Sequence, residues 1–361
     1  MKEKLDIGQI LSYAGAFIAF LIGSGFATGQ EVSQYFSAYG LKGLLGILVV
    51  SVMFFYVGSN FMNVGQKHNL KNGNEIYKHY FGDKLGTIFD YYSIAFIYMS
   101  FIVMVGGASA AVNQQFGLPL AAGGIFLGVI VASTVIFGLD SIVSVISKVG
   151  PTIIALTLLL GVLSIKRNPE GLNNIETILN KTEPLKASTN WFFAALSYVG
   201  FSIIWLAGFL ASLGNTSKSK RESVLGILVG VLGFGISLSV LVLGILANIE
   251  ELVGSKIPNI TLAENIHPIL AFVFSIIVVA GIYTTSVPLL WQVIDRFADE
   301  KSSKFTKLTI ILSIIGVIIG VLIPFDKLVN VIYVVNGYIG LLIVVFMIYN
   351  SIKERKIIVY I

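Results

Sequence analysis

The sequence predicts an all-α integral membrane protein whose ten transmembrane helices form a five-plus-five inverted repeat, with helices 1 and 6 discontinuous. Three observations lead there. Of 361 residues, 56% are hydrophobic and 12% charged, with a mean hydropathy of +0.88, whereas a soluble domain carries roughly a quarter charged residues. The apolar residues gather into ten runs, each near the about 20 residues that cross a bilayer core. The longest polar interval, 166–187, divides those runs five and five. Disorder and coiled coil are excluded by the same composition, since both need polar and charged residues that this chain lacks.

The runs occupy residues 8–37, 41–65, 86–115, 119–138, 141–165, 188–213, 222–247, 267–295, 306–324 and 327–350. The opening MKEKLDIGQIL has no small-residue cleavage site after its apolar run, so it reads as a retained first helix. Ten spans put both termini on one side. With that side taken as cytoplasm, inside segments hold 16 Lys and Arg, outside segments hold seven, and Lys148 lies within a span. The positive-inside rule therefore predicts cytoplasmic termini. Topology also accounts for the net charge of +5, because the basic residues lie between apolar runs and form no single stripe; the lipid bilayer, not nucleic acid, is the expected partner. The chain has no cysteine, which excludes disulfides, thiolate nucleophiles and cysteine metal sites.

Because five is odd, the second set of spans starts from the opposite side of the membrane, and any resemblance between the halves 8–165 and 188–350 is an inverted one. No clear identity joins them. What they share is an interruption in the first span of each: Gly23-Ser24-Gly25 in one, Ser197-Tyr198-Val199-Gly200-Phe201-Ser202 in the other. Paired interruptions in corresponding spans point to broken helices at a binding site. Between spans, residues 74–86 read as a short cytoplasmic helix, and residues 257–268 as an outer reentrant or surface segment.

The densest polar signal is Leu21 to Glu31, LIGSGFATGQE. Glycine lowers the cost of leaving helical geometry, and unwound backbone at membrane depth is tolerated only where it lines a cavity or is buried in protein. Freed carbonyls can coordinate a cation, and freed amides can bind a carboxylate. The competing reading is close helix packing through small residues. Glu31 stands about 12 Å beyond Gly23 along a helix, in the outer half of the span. It reads either as a proton or gate residue or as a vestibule carboxylate, hydrated or paired with a lysine. In span eight, Gly281 lies one turn before Thr284 and Thr285, so one carbonyl and two hydroxyls can offer hard oxygen ligands to sodium. The alternative is that the threonines bond back to their own helix. Lys148, followed by a kinking Pro151, is either a built-in cation or a snorkelling side chain. Phe201, with Tyr198, Trp191 and Trp205 nearby, can shape a pocket or serve as bulk and interfacial anchors. His68, His79 and His267 form no paired-ligand motif, and no phosphate-cradling GxxxxGK[ST] sequence occurs, so neither an enzyme nor an ATP-driven pump is expected.

LIGSGFATGQE in span one, SYVGFS in span six and AGIYTTS in span eight resemble the LeuT-fold secondary transporters of the amino acid, polyamine and organocation superfamily, across essentially all ten spans. The narrower resemblance, carried by GSGFATGQE, is to the bacterial YkvI-like membrane proteins. The resemblance implies a sodium site made by the Ala19 and Ile22 carbonyls with Gly281, Thr284 and Thr285. A second sodium site of the neurotransmitter-type relatives needs an asparagine where this chain has Phe26, which implies its absence. Backbone around Ser24 and Gly25, and around Gly200, Phe201 and Ser202, would face the solute, with span three contributing near Tyr98 or Gly106. Gln30 and Glu31 would fall in the outer gate, although the usual gate arginine is replaced by Gly29.

The resulting expectation is a cation-coupled secondary transporter, with sodium as coupling ion and no cofactor. Its small organic solute would be an amino acid or similar zwitterion, moved across a bacterial inner membrane by alternating access. Proton coupling through Glu31 or Lys148, and a non-transporting membrane sensor of the same fold, are the alternatives.

Overall fold

The computed structural model describes residues 5–22, 24–68, 70, 75–137 and 140–359. The described residues are mostly helical, joined by turns and short loops, and contain no strand. In chain order the helices are α1 (Ile7–Leu21), α2 (Ser24–Thr28), α3 (Gln30–Tyr35), α4 (Lys42–His68), α5 (Glu75–Phe116), α6 (Leu120–Phe137), α7 (Asp140–Arg167), α8 (Ile175–Thr182), α9 (Trp191–Asn215), α10 (Lys220–Ala247), α11 (Pro258–Ile266), α12 (Pro268–Asp295), α13 (Ser303–Leu322), α14 (Phe325–Leu328) and α15 (Val334–Val359). Eight helices among the described residues are long and apolar enough to cross a membrane: α4, α5, α6, α9, α10, α12, α13 and the continuous stretch from α14 through α15. The expected first span is divided among α1, α2 and α3, and the expected fifth is α7.

Local sequence explains where these helices begin and break. The Asp6 carboxylate accepts from the Gln9 amide at 3.1 Å and caps α1. Asn190 caps α9 by accepting from the Phe192 and Phe193 amides at 3.0 and 3.1 Å. α1 stops at Leu21, and Ile22 turns out of helical geometry with φ −82° and ψ 77°. α2 and α3 are separated by Gly29 at φ +83°, a left-handed conformation that favours glycine. The first span is thus broken twice, where the sequence reading placed one interruption. Gly82, at φ +73°, similarly sets off residues 75–81 as a short helix before the third span.

Helix pairing follows two groups. α1, α4, α9 and α10 pack together through α4 on α9, α1 on α10 and α4 on α10; α5, α6, α12 and α13 do so through α5 on α12, α5 on α6 and α6 on α13. α7 packs on α1 and α15 on α9, which are equivalent pairs when spans one to five are exchanged with spans six to ten. The contacts of span one on seven and six on two exchange in the same way, as do three on nine and eight on four. Without a hydrophobic drive between helices in lipid, such contacts depend on small residues that let backbones approach. A Cβ on Gly65 of α4 would lie 2.0 Å from the Ala211 carbonyl oxygen of α9, and one on Gly214 of α9 would lie 2.2 Å from that of Met62.

Two expectations are corrected here. The sixth span is not discontinuous: α9 runs unbroken from Trp191 to Asn215. Its small residues serve packing, since a Cβ on Gly200 would sit 1.7 Å from the Gly337 carbonyl oxygen of α15, and one on Gly337 would meet Ser197. The irregularity in the second half lies instead in span ten, as a π-helical turn over Val329–Tyr333. Of the two readings of residues 257–268, an outer reentrant or a surface segment, the surface one is corrected: Pro258–Ile266 form α11, which docks on α12, α7 and α2 and buries Pro258, Asn259, Ile260, Leu262 and Ala263.

Candidate functional site

The site is built around the two breaks in span one. α2 packs on α12 and α5, so the broken span of one helix group lies against the other group. At the first break the Ile22 carbonyl leaves its helix, and Thr285 of α12 donates to it at 3.3 Å. The same hydroxyl donates to the Gly281 carbonyl at 3.0 Å, as does that of Thr284. A Cβ on Gly281 would lie 2.8 Å from Ile153 Cδ1 of α7 and in ordinary contact, 3.6 Å, with Ala27 Cβ of α2. Four oxygens from two helices therefore converge, all hard ligands suited to an alkali cation. Gly281, Thr284 and Thr285 lie together on α12, with both hydroxyls bonding back to the Gly281 carbonyl as the alternative reading has it, and Thr285 also reaches Ile22, the position the resemblance implies. Gly23 and the side chains of Ala19, Ser24 and Lys148 lie outside the described residues. Position 26 is filled by a buried ring, 5.5 Å from that of Phe234.

At the second break, Thr28 donates to the Gly25 carbonyl at 3.2 Å and accepts from the Gln30 amide at 3.3 Å. Glu31 does not stand in a hydrated outer vestibule and has no lysine partner in an ion pair among the described residues. It is 1% exposed and folds back onto Gly25, where a Cβ would lie 1.8 Å from its Oε1. That oxygen has no hydrogen-bond partner. Tyr35, one turn further along α3, has its ring 5.4 Å from Tyr198 and 5.6 Å from Phe201. Phe201 in turn approaches Trp205 and Tyr333 at 5.2 and 4.7 Å.

The remaining expected solute-facing residues are placed elsewhere. Gly200 faces α15, and the Ser202 hydroxyl donates within its own helix to the Tyr198 carbonyl at 2.7 Å. Tyr98 donates to the Leu312 carbonyl of α13 at 2.9 Å. Gly106 faces Leu328 and the Gly320 carbonyl. The part of span three that meets the aromatic cluster is Phe96, stacked 5.8 Å from Trp205, with Ser100 one turn on accepting from Trp205 Nε1 at 3.0 Å. A two-residue shift turns a helix by about 200°, which is why Tyr98 and Phe96 face different partners.

Two functional candidates were missed in the sequence. Gln34, and not Gln30, closes the polar contacts between span one and span ten: its Nε2 donates to the Asp326 carbonyl at 3.2 Å and its Oε1 accepts from Asn330 at 3.0 Å. Its position one turn after Gln30 and Glu31 was the available signal. Asn259 of α11 donates to the Phe26 and Ala27 carbonyls at 3.1 and 2.9 Å, replacing helical bonds lost at the Gly29 turn. Asn259→Leu is expected to remove that donor from both carbonyls, of which Phe26 keeps the Gly29 amide at 3.1 Å, at about 1–3 kcal/mol for the loss at Ala27, and to lower the thermal unfolding midpoint in a detergent-solubilised fluorescence scan. His68 and His79 approach to 4.8 Å between ring centroids, yet no group of three His, Cys, Asp or Glu among the described residues could hold a metal ion.

This architecture, a multi-pass helical membrane protein broken in its first span, is the LeuT fold. No family model matches the chain. The chain is similar to the uncharacterized membrane protein YkvI of Bacillus subtilis, 24% identical over 344 residues that cover 92% of this chain and 94% of the relative. It is also similar to the uncharacterized protein YyaD of the same organism, 24% identical over 276 residues covering 74% and 75%. Among solved structures, MhsT in complex with L-phenylalanine superposes with a TM-score of 0.60 at 16% identity, over 92% of this chain and 87% of that one. Inward-facing Mhp1 gives 0.56 at 14% identity, over 92% and 73%. A manganese transporter of Eremococcus coleocola gives 0.58 at 14%, over 95% and 79%.

Proposed function

We propose that this protein is a cation-coupled secondary transporter of a small organic solute, with sodium as the coupling ion and alternating access as the mechanism. The observation that carries this reading is the meeting of the Ile22 carbonyl with Gly281, Thr284 and Thr285 across the contact between the two helix groups. Sodium held there by those oxygens, with the Ala19 carbonyl completing the set, would tie α1 to α12 and favour one arrangement of the groups. Solute binding beside the breaks would favour the same arrangement, so each ligand strengthens the other's binding. The solute side would use Ser24, Gly25 and Phe201; its class, in this reading, is an amino acid or a related compound. The inverted-repeat halves are 8–165 and 188–350, and both termini lie in the cytoplasm of a bacterial inner membrane. Fold likeness to transporters, MhsT, Mhp1 and the sialic acid symporter described as Na+-coupled among them, supports transport; the oxygen cluster supports the choice of ion.

The test is a thermal-stability series on the purified full chain in sodium or N-methylglucamine at fixed ionic strength, paired with uptake into proteoliposomes driven by a sodium gradient. Sodium-specific stabilisation together with sodium-driven uptake is the expected result. A second reading, proton coupling, is favoured by one observation, the burial of Glu31 with no ion-pair partner among the described residues; uptake driven by a proton gradient and indifferent to sodium would select it. Ligand stabilisation without any flux would instead mark a sensor.

A further inference from the structure

We infer that Glu31 is the anionic subsite for the ammonium group of a cationic, amine-bearing solute. This rests on the transport reading above and narrows its substrate class. The carboxylate occupies the notch that Gly25 leaves open, 1% exposed, with Oε1 unpartnered. Removing a carboxylate from water without a counter-charge is among the most costly burials a protein makes. The ion pairs among the described residues, Arg167 with Glu251 and Arg296 with Asp90, engage other carboxylates, and Lys186 lies over the ring of Tyr39. Among the described residues no basic side chain forms an ion pair with Glu31, and in this reading the positive charge that balances the carboxylate comes with the solute.

The surroundings select what kind of cation. Tyr35 shares α3 with Glu31 and faces Tyr198 and Phe201, with Trp205 and Tyr333 behind them. A carboxylate beside aromatic faces is the chemistry that recognises an organic ammonium, through charge and cation–π attraction together. The opposite end of a zwitterion is not provided for in the same way. α9 is continuous through Gly200, so its backbone amides at that depth remain engaged in the helix and offer no cradle to a solute carboxylate. Glu31 and Tyr35 are both buried on one six-residue helix, α3, that follows the turn at Gly29.

The experiment measures thermal stabilisation of the purified full chain, at fixed sodium, by two matched trios and one matched pair of probes. These are isoamylamine, L-leucine and 4-methylpentanoate; phenethylamine, L-phenylalanine and 3-phenylpropionate; and putrescine with its diacid counterpart, succinate. Amines are expected to stabilise at concentrations at least about tenfold below their deaminated acids, with Glu31→Gln removing that preference and Glu31→Asp retaining part of it. Glu31→Gln should keep wild-type stabilisation by sodium, which shows that the variant is folded and that the sodium site is intact. Acids binding as well as amines, no amine binding at all, or amine binding unchanged in Glu31→Gln would each overturn the assignment. Unchanged amine binding with lost pH dependence of uptake would transfer Glu31 to proton coupling. Loss of the sodium effect in the wild type would count against the coupling-ion reading alone.

Discussion

Gly200→Ala is expected to lower the stability of the protein by about 1–3 kcal/mol or more, and Gly200→Val to abolish recovery of monodisperse protein. The added Cβ would stand 1.7 Å from the Gly337 carbonyl oxygen and 2.7 Å from its carbon. Those are backbone atoms inside a second membrane helix, so no rotamer change relieves the overlap and α9 and α15 must move apart. The contact is reciprocal: a Cβ on Gly340 would lie 2.0 Å from the Gly200 carbonyl oxygen, and one on Gly337 would meet Ser197. Separation therefore loses packing along a whole crossing rather than at one point. The measurement is size-exclusion homogeneity after extraction, followed by a thermal scan. A wild-type midpoint for Gly200→Ala would show that the span-six glycine is not a packing residue and would reopen the case for a break there. The control is Gly15→Ala in α1, where no atom lies within 4 Å of the added Cβ.

That contact also shows what the sequence made legible and what it did not. Run length and the 166–187 interval located the spans because membrane thickness fixes how many apolar residues a crossing takes. In Leu21 to Glu31 the glycine and polar residues signal a departure from the helix but not its places: among the described residues the breaks fall at Ile22 and Gly29, while Ser24 and Gly25 are helical in α2. SYVGFS carries the same residue types but remains helical, since its small side chains are matched by Gly337 and Gly340 in a span 137 residues away. Nothing local distinguishes a glycine that breaks a helix from one that lets a neighbour in; the partner decides. In the site, the Gly281, Thr284, Thr285 spacing survived because it lies on one helix, where positions three and four apart share a face. Tyr98 and Gly106 were chosen without a face to anchor them, and the aromatic cluster selected Phe96 and Ser100 instead. Asn259 and Gln34 act across elements, on carbonyls freed by turns or offered by span ten, and contacts of that kind have no signature in one sequence.

Thr285→Val is expected to abolish most of the sodium response while leaving the fold in place. Valine matches threonine in shape and removes one oxygen, so packing against α2 persists. The hydroxyl's present bonds run to the Gly281 carbonyl of its own helix and, at 3.3 Å, to the Ile22 carbonyl; losing a back-bond of the first kind costs little. A ligand oxygen on a cation is a different quantity, because hydrogen bonds and contacts to charged groups are worth about 1.5–3 kcal/mol. That corresponds to sodium binding weakened by about 10- to 100-fold. Since a ligand that binds only the folded state stabilises it by RT ln(1 + [L]/Kd), each tenfold weakening removes about 1.4 kcal/mol of sodium-dependent stabilisation at saturating salt. Sodium titrations of the thermal midpoint read this directly, with N-methylglucamine holding ionic strength constant. Thr285→Ser keeps an oxygen at the same position and should restore the response; Thr284→Val should repeat the loss through its own hydroxyl, which donates to the same Gly281 carbonyl at 3.0 Å. If both valine variants respond to sodium as the wild type does, the oxygens between α1 and α12 bind each other and not an ion, and the search for coupling moves to Glu31.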